Sequence, residues 1–218
     1  MPLTKAPPPG SARRKVAQDS GIKQMLLHQD PRGQRVLGIA RQHGAYELAI
    51  ERIHEALAEI RAVARQDPAT AAEGAVLFLE KLSPALNQID SSSGALGNAT
   101  YAAVGEVVPV ISTAPVDAAL RMKWLDRLFE AIQEDDPPYI EHLGDHWGDL
   151  CATSELASVW ADQLVPTQRN VLRDRQRGNY AFFSGTTLCY SALFKAGRHD
   201  ELLELLALDP RPIWQYLI

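Results

Sequence analysis

The residues whose types and spacing could do chemistry are concentrated in EDDPPYIEHLGDHWGDLC, residues 134–151, where His142 and His146 stand four positions apart among Glu141, Asp145 and Asp149. On an α-helix, residues at i and i+4 share a face, so both imidazoles could reach one metal ion, with Asp149 one turn further on as a third ligand. The pattern departs from hydrolytic zinc sites where it matters most. Leu143, not a glutamate, follows the first histidine, and the inverted order His142-x-x-Asp145-His146 would need Asp145 to replace a longer glutamate. Gly144 and Gly148 also weaken any helix that must hold ligands still. The sequence is therefore read as binding no metal and no cofactor here. The stretch is expected to form a helix with both histidines on its exposed face, Tyr139 and Trp147 packing inward, and glycines that signal close packing or a bend.

Other candidate motifs fall away on the same kind of test. SSSGALGN, residues 91–98, lacks the Gly-Lys-Ser/Thr ending and the preceding strand of a phosphate loop, and is expected to be a linker. Ser184 in FFSGTTLCY is outside a Gly-x-Ser-x-Gly elbow and has no histidine placed as its base, so this stretch is expected to be a buried helix. The acidic run 134–136 has no calcium-loop spacing and reads as a helix end and turn. Cys151 and Cys189 are too few for a disulfide framework and are expected to be free, buried thiols. No residue is assigned a catalytic role, and the chain is read as not an enzyme.

The elements that must position these residues are helical. In AYELAIERIHEALAEIRAVARQ, Tyr46, Ile50, Ile53, Leu57 and Ile60 recur every three to four positions. Val76, Leu79, Leu82, Leu86 and Ile89 repeat the pattern, as do Leu120, Trp124 and Leu128. The stretches SELASVWADQLVPTQRNVLRDR and SGTTLCYSALFKAG continue it, and EVVPVIS reads as a kinked helix end because it contains Pro109. Asp-Pro pairs at 30–31, 67–68, 136–137 and 209–210 are expected to start helices, the aspartate accepting unpaired amides and the proline lacking one. In ALFKAGRHDELLELL a helix ends at Ala196 and Gly197, and another resumes after a short turn. The expected fold is all-α, a short right-handed α-solenoid or an irregular array of stacked helical hairpins, with residues 1–14 a flexible, basic, Pro-rich arm and 15–218 a single helical-repeat domain.

The net charge of −5 conceals an asymmetry: residues 1–41 hold eight Lys or Arg against two Asp, leaving the remainder strongly acidic. That remainder argues against broad nucleic-acid binding, whereas the basic arm could meet an acidic partner, a phosphate backbone or the acidic body of the chain itself. No apolar run is long enough for a membrane span and no apolar secretion segment stands near residue 1, so the expected location is the cytoplasm, without membrane contact.

LNQIDSSSGALGNATYAAVGEVV (86–108), followed by LDRLFEAIQEDDPPYIEHLGDHWGDLC (125–151), resembles an uncharacterised bacterial family of tetratricopeptide-like helical repeat domains, some of which follow SWIM zinc fingers. The resemblance implies an architecture and brings no activity; the Cys-x-Cys and Cys-x-His ligands of a SWIM finger are missing, so zinc-finger nucleic-acid binding is not implied. The resulting functional expectation is a noncatalytic scaffold that binds a protein partner. Trp147, Trp214 and Tyr216 are candidate anchors, beside Trp124 and Trp160. Arg13, Arg14 and Lys15 are candidate contacts either to that partner or, in the alternative reading, to nucleic acid. A metal-dependent hydrolase at His142, His146 and Asp149 is the third reading. The apolar end DPRPIWQYLI carries no polar capping helix and is expected to pack back on the body, pair with another copy of the chain, or continue into a longer protein.

Overall fold

The apolar spacing of residues 46–60 folds as one long helix, α1 (Ala40–Ala64), which buries Ile53, Ala56, Leu57 and Ile60. The structure, a computed structural model, describes residues 40–210 apart from 88 and 90–93. Among the described residues there are eight α-helices and one short 3-10 helix, and no strand. The fold is all-α. No helix among them is long and apolar enough to cross a membrane.

Asp67 starts α2 (Pro68–Leu86) by the expected chemistry: its carboxylate accepts from the Thr70 amide at 3.1 Å and the Thr70 hydroxyl at 2.7 Å, with proline in the first turn. Val76, Phe78, Leu79 and Leu82 then fill the core. Helix α3 (Ala95–Ser112) takes in residues 95–98 of the expected linker as its first turn, so that part of the linker expectation is corrected. Pro109 falls in its last turn. Helices α1, α2 and α3 all pack against one another, and α4 (Ala118–Gln133), capped by Asp117, lies on α2. At that seam Arg127 reaches Glu73 at 2.6 Å and Glu80 at 2.7 Å, while the Trp124 indole donates to Glu73 at 2.6 Å.

The chain then changes style. A 3-10 helix (Glu141–His146) runs straight into the five-residue α5 (Trp147–Cys151), and both press against α3 on one side and α7 on the other. One residue reverses the chain: Ala152 has φ 63° and ψ −39°, and the Thr153 amide donates to the Cys151 carbonyl at 2.7 Å, a strained γ-turn. Helices α6 (Ser154–Gln176), α7 (Thr186–Lys195) and α8 (His199–Leu208) complete the array, α6 packing most extensively on α7 and α8 resting on both. The α7 to α8 hairpin closes as expected. Gly197, at φ 72°, allows the Arg198 amide to reach back to the Leu193 carbonyl at 3.0 Å.

Two of the Asp-Pro starts need correction. Asp136 caps no helix; its neighbour Asp135 accepts from the amides of Tyr139 and Ile140 at 3.0 and 2.7 Å, and the 3-10 helix begins only at Glu141. Asp209 closes α8 instead, as its C-cap residue, and its buried carboxylate meets Arg175 at 3.3 Å. The pair at 30–31, and whatever follows Pro210, lie outside the described residues.

One continuous core runs through the array, with Trp147 and Trp160 edge to face at 5.0 Å and Phe129 against Trp160 at 5.3 Å. Within it Arg121, 4% exposed, donates to the carbonyls of Ile111 at 2.9 Å, Ala114 at 2.8 Å and Leu150 at 3.2 Å. These carbonyls lie at or just beyond the C-terminal ends of α3 and α5, where backbone dipoles concentrate negative charge. The buried cation therefore ties the first part of the array to the second without a carboxylate partner.

Candidate functional site

The C-terminal end of α4, the turn after it, the 3-10 helix and the segment between α6 and α7 enclose a cleft of about 770 Å³. That size lies within the range of ligand-binding sites generally. Its acidic wall carries Asp135, Asp136, Glu141 and Asp145. Asp135 is committed to the turn amides, but Asp136, Glu141 and Asp145 are exposed, and the ion pairs found among the described residues leave them out.

The facing wall is built from the loop 177–185. Gly178, at φ 81°, ends α6 and turns the chain out. Arg175 holds the loop from below, its Nε donating to the Ala181 carbonyl at 2.8 Å while its Nη1 meets Asp209. The Ser184 hydroxyl donates to Gln133 at 2.7 Å and so ties the loop to the end of α4. Beneath it, Thr186 donates to Gln168, and Gln168 donates to the Tyr190 hydroxyl at 2.9 Å, a buried polar link between α6 and α7. The loop is thus anchored on two sides, by Arg175 and by Gln133, while two of its aromatic rings face solvent. Phe182, 70% exposed, lines the cleft, and Tyr180, two residues before it, is 96% exposed.

The histidine pair is not arranged as expected. His142 and His146 lie within the 3-10 helix, where three residues make a turn, so positions i and i+4 differ by about 120° while i and i+3 eclipse. His142 therefore aligns with Asp145 and not with His146. Neither histidine is exposed. His142 is half-buried, stacks on Tyr101 of α3 at 4.6 Å, and has its Nε2 buried without a hydrogen-bond partner. Burial pushes its pKa below the ordinary histidine value, against the opposing pull of the Tyr101 backbone and then of Asp145. His146 is half-buried as well. Asp149 points instead toward Lys195, at 3.7 Å. Among the described residues no three His, Cys, Asp or Glu side chains converge as a metal would require.

Trp147 leaves the set of partner anchors: it is fully buried, as are Trp124 and Trp160 to within 2%. Trp214, Tyr216, Arg13, Arg14 and Lys15 lie outside the described residues. The glycines do what their positions suggested. A methyl group at Gly148 would stand 2.6 Å from the Ser191 carbonyl oxygen, and one at Gly144 would collide with Thr187. Bare backbone there lets the 3-10 helix and α5 approach α7, fixing the acidic wall against the loop. The Gly148 amide accepts no crowding but donates to the Ser191 hydroxyl at 2.9 Å. Both cysteines are buried and free, and burial raises each thiol to about 12, so neither is a nucleophile at neutral pH.

The expectation of a buried helix over FFSGTTLCY is corrected at its first four residues: α7 begins only at Thr186, and Phe182 stands exposed in the loop before it. The available signal was GNYAFFSG, three aromatic residues between glycines without helical spacing, immediately after an Arg-rich helix end.

No protein-family model, curated protein or solved structure matches this chain. Carboxylates outside the ion pairs, in one cleft with the exposed Phe182 ring, suit a cation on an apolar stem: the ring takes the methylenes or the face of a guanidinium, and the carboxylates take its charge. The same wall repels phosphate.

Proposed function

We propose that this chain is a noncatalytic helical protein that binds another protein, and that the cleft between the 3-10 helix and the 177–185 loop receives an extended Lys/Arg-rich segment of that partner. The observation that carries the reading is Phe182, 70% exposed on an anchored loop and lining the same cleft as Asp136, Glu141 and Asp145. A large exposed ring held in place by hydrogen bonds on both sides is costly to leave in water and suited to a partner's side chains. Charge supports the same direction: beyond residue 41 the chain has 14 Lys or Arg against 25 Asp or Glu, so basic segments are attracted and nucleic acid is repelled.

In this reading the surrounding helices are a scaffold, a short irregular stack of hairpins of which α7 and α8 are the clearest example. The cytoplasm suits a chain whose two cysteines are buried and free.

The test is fluorescence anisotropy with a labelled Lys/Arg-rich peptide and the same peptide with those residues replaced by Gln. The basic peptide is expected to bind and the neutral one not. Phe182→Ala should weaken binding about tenfold, the equivalent of one well-placed aromatic contact. Glu141→Gln with Asp145→Asn should weaken it further, and added salt should act in the same direction. Binding that ignores all three substitutions would overturn the proposal.

A further inference from the structure

His142 lines the cleft together with the carboxylates that a basic segment would use. The 3-10 geometry sets it on the side of Asp145, three positions on, where successive turns eclipse. The ring is fixed by its stack on Tyr101, at 4.6 Å and 24° between planes, and its Nε2 is buried without a hydrogen-bond partner. Such a nitrogen suits the neutral ring and not the imidazolium, both of whose nitrogens must donate.

We infer that His142 gates the cleft by protonation: the neutral ring leaves Glu141 and Asp145 to the partner's basic segment, whereas the imidazolium is a cation inside the same wall that offsets their charge and repels the segment. The inference rests on the cleft reading given above and names the regulation of that site.

The surroundings of His142 leave this role open to it. Its own helix carries Glu141, Asp145 and His146, and the turn before it carries Asp135. From α3 it meets Tyr101, and α7 packs on its helix through Thr187 and Leu188, none of them a cation. On the α5 side, Asp149 is paired with Lys195. Arg175 also lines the cleft, but Asp209 and the Ala181 carbonyl already engage its guanidinium. Burial disfavours the imidazolium most and His146 adds to that, while the Tyr101 backbone, Asp145 and Asp135 favour it; the balance lies below the ordinary histidine value.

The direction of the effect follows. The gate is open at neutral pH and closes as pH falls from about 6.5 through the lower folded value. A bound cation disfavours a second one beside it, so binding expels the proton from His142, and by linkage acid expels the segment to the same degree. One unit charge added a few ångströms from the ligand's charge, near the surface, corresponds to roughly fivefold to tenfold in affinity.

Two measurements on the full-length chain test this. A rhodamine-labelled peptide of Arg, Lys, Gly and Ala, capped at both ends so that nothing in it titrates in the range, is bound by anisotropy from about pH 8 to about pH 5.5, with circular dichroism confirming the fold at each pH. The parent should lose roughly fivefold to tenfold more affinity over this range than His142→Gln, which has no ring to protonate. His146→Gln should keep the parent's loss, because His146 lies outside the lining of the cleft. Reciprocally, the Cε1 proton resonance of His142 in the parent should titrate at lower pH when the peptide is saturating. Parallel losses in parent and His142→Gln, or a His142 titration that the peptide leaves unmoved, overturn the gate. The cleft reading then survives if Glu141→Gln/Asp145→Asn still weakens the peptide at the alkaline end. Absence of binding there, or binding indifferent to those carboxylates, overturns both. A loss that disappears in His146→Gln overturns the assignment to His142 in favour of its neighbour.

Discussion

Two pairs of glycines divide the molecule. Gly97 and Gly105 in α3 face open space, with nothing within 4 Å of where a methyl would stand. Gly144 and Gly148, in the 3-10 helix and α5, are pressed against Thr187, Leu188 and Ser191 of α7. The same residue type is incidental in one region and required in the other. The first region, α1 to α4, is built of amphipathic helices whose apolar faces bury each other, and Gly97 and Gly105 play no part in that contact. In the second, from Glu141 through α7, a short 3-10 helix and the five-residue α5 touch α7 through backbone, while the 23-residue α6 packs along α7. Its shape is therefore set by close approach, and the acidic wall of the cleft is part of that shape.

The comparison can be broken most forcefully at Arg121, which ties the two regions together. Arg121→Met removes a buried guanidinium and its hydrogen bonds to the carbonyls of Ile111, Ala114 and Leu150, of which the first two keep a backbone amide as donor. Each such loss costs about 1–3 kcal/mol. A total near 4 kcal/mol is expected, read as a shifted urea midpoint, and an unchanged midpoint would show that the two regions hold together without it. Gly148→Ala comes next. Overpacking against the Ser191 carbonyl should cost about 3 kcal/mol and, by separating α5 from α7, should also weaken basic peptide binding, whereas a change in stability alone would detach the cleft from this contact.

Acid should act more weakly and in a determined direction. Burial holds the folded-state pKa of His142 below its unfolded value, so the unfolded chain takes up the proton first. The stability contributed by neutral His142 is fully present above about pH 6.5 and is lost as pH falls from there through the folded value. The unfolding free energy of the parent, compared with His142→Gln, should fall on acidification by at most about 1.4 kcal/mol per pH unit. A parallel pH course for the two chains would place His142 in water. The smallest effect has the opposite sign: Gly105→Ala on the exposed side of α3 should stabilise by about 0.5–1 kcal/mol, and a loss would mean that this face is covered.

These differences explain what could be read in advance. The long helices were legible because burial on one face imposes a period near 3.6, as in the run from Ile53 to Ile60. Asp67 was legible because its capping bonds, to the amide and hydroxyl of Thr70, are local. The same dipeptide misled at 136–137 and at 209–210, where Asp135 serves turn amides and Asp209 serves Arg175, 34 positions away. The 3-10 geometry of residues 141–146 was not legible, since it follows from contact with α3 and α7, and it removed the one-face premise for His142 and His146. The cleft was illegible for a further reason: it joins residues near 140 to residues near 182 only after α6 and α7 have packed.

The most direct test of the central claim is amide chemical-shift mapping of the isotope-labelled chain titrated with a Lys/Arg-rich peptide. The claim predicts saturable shifts concentrated at residues 135–145 and 180–187, lost in the Glu141→Gln/Asp145→Asn chain while its fold is unchanged. Shifts that leave both segments untouched, or that persist undiminished without those carboxylates, would contradict it.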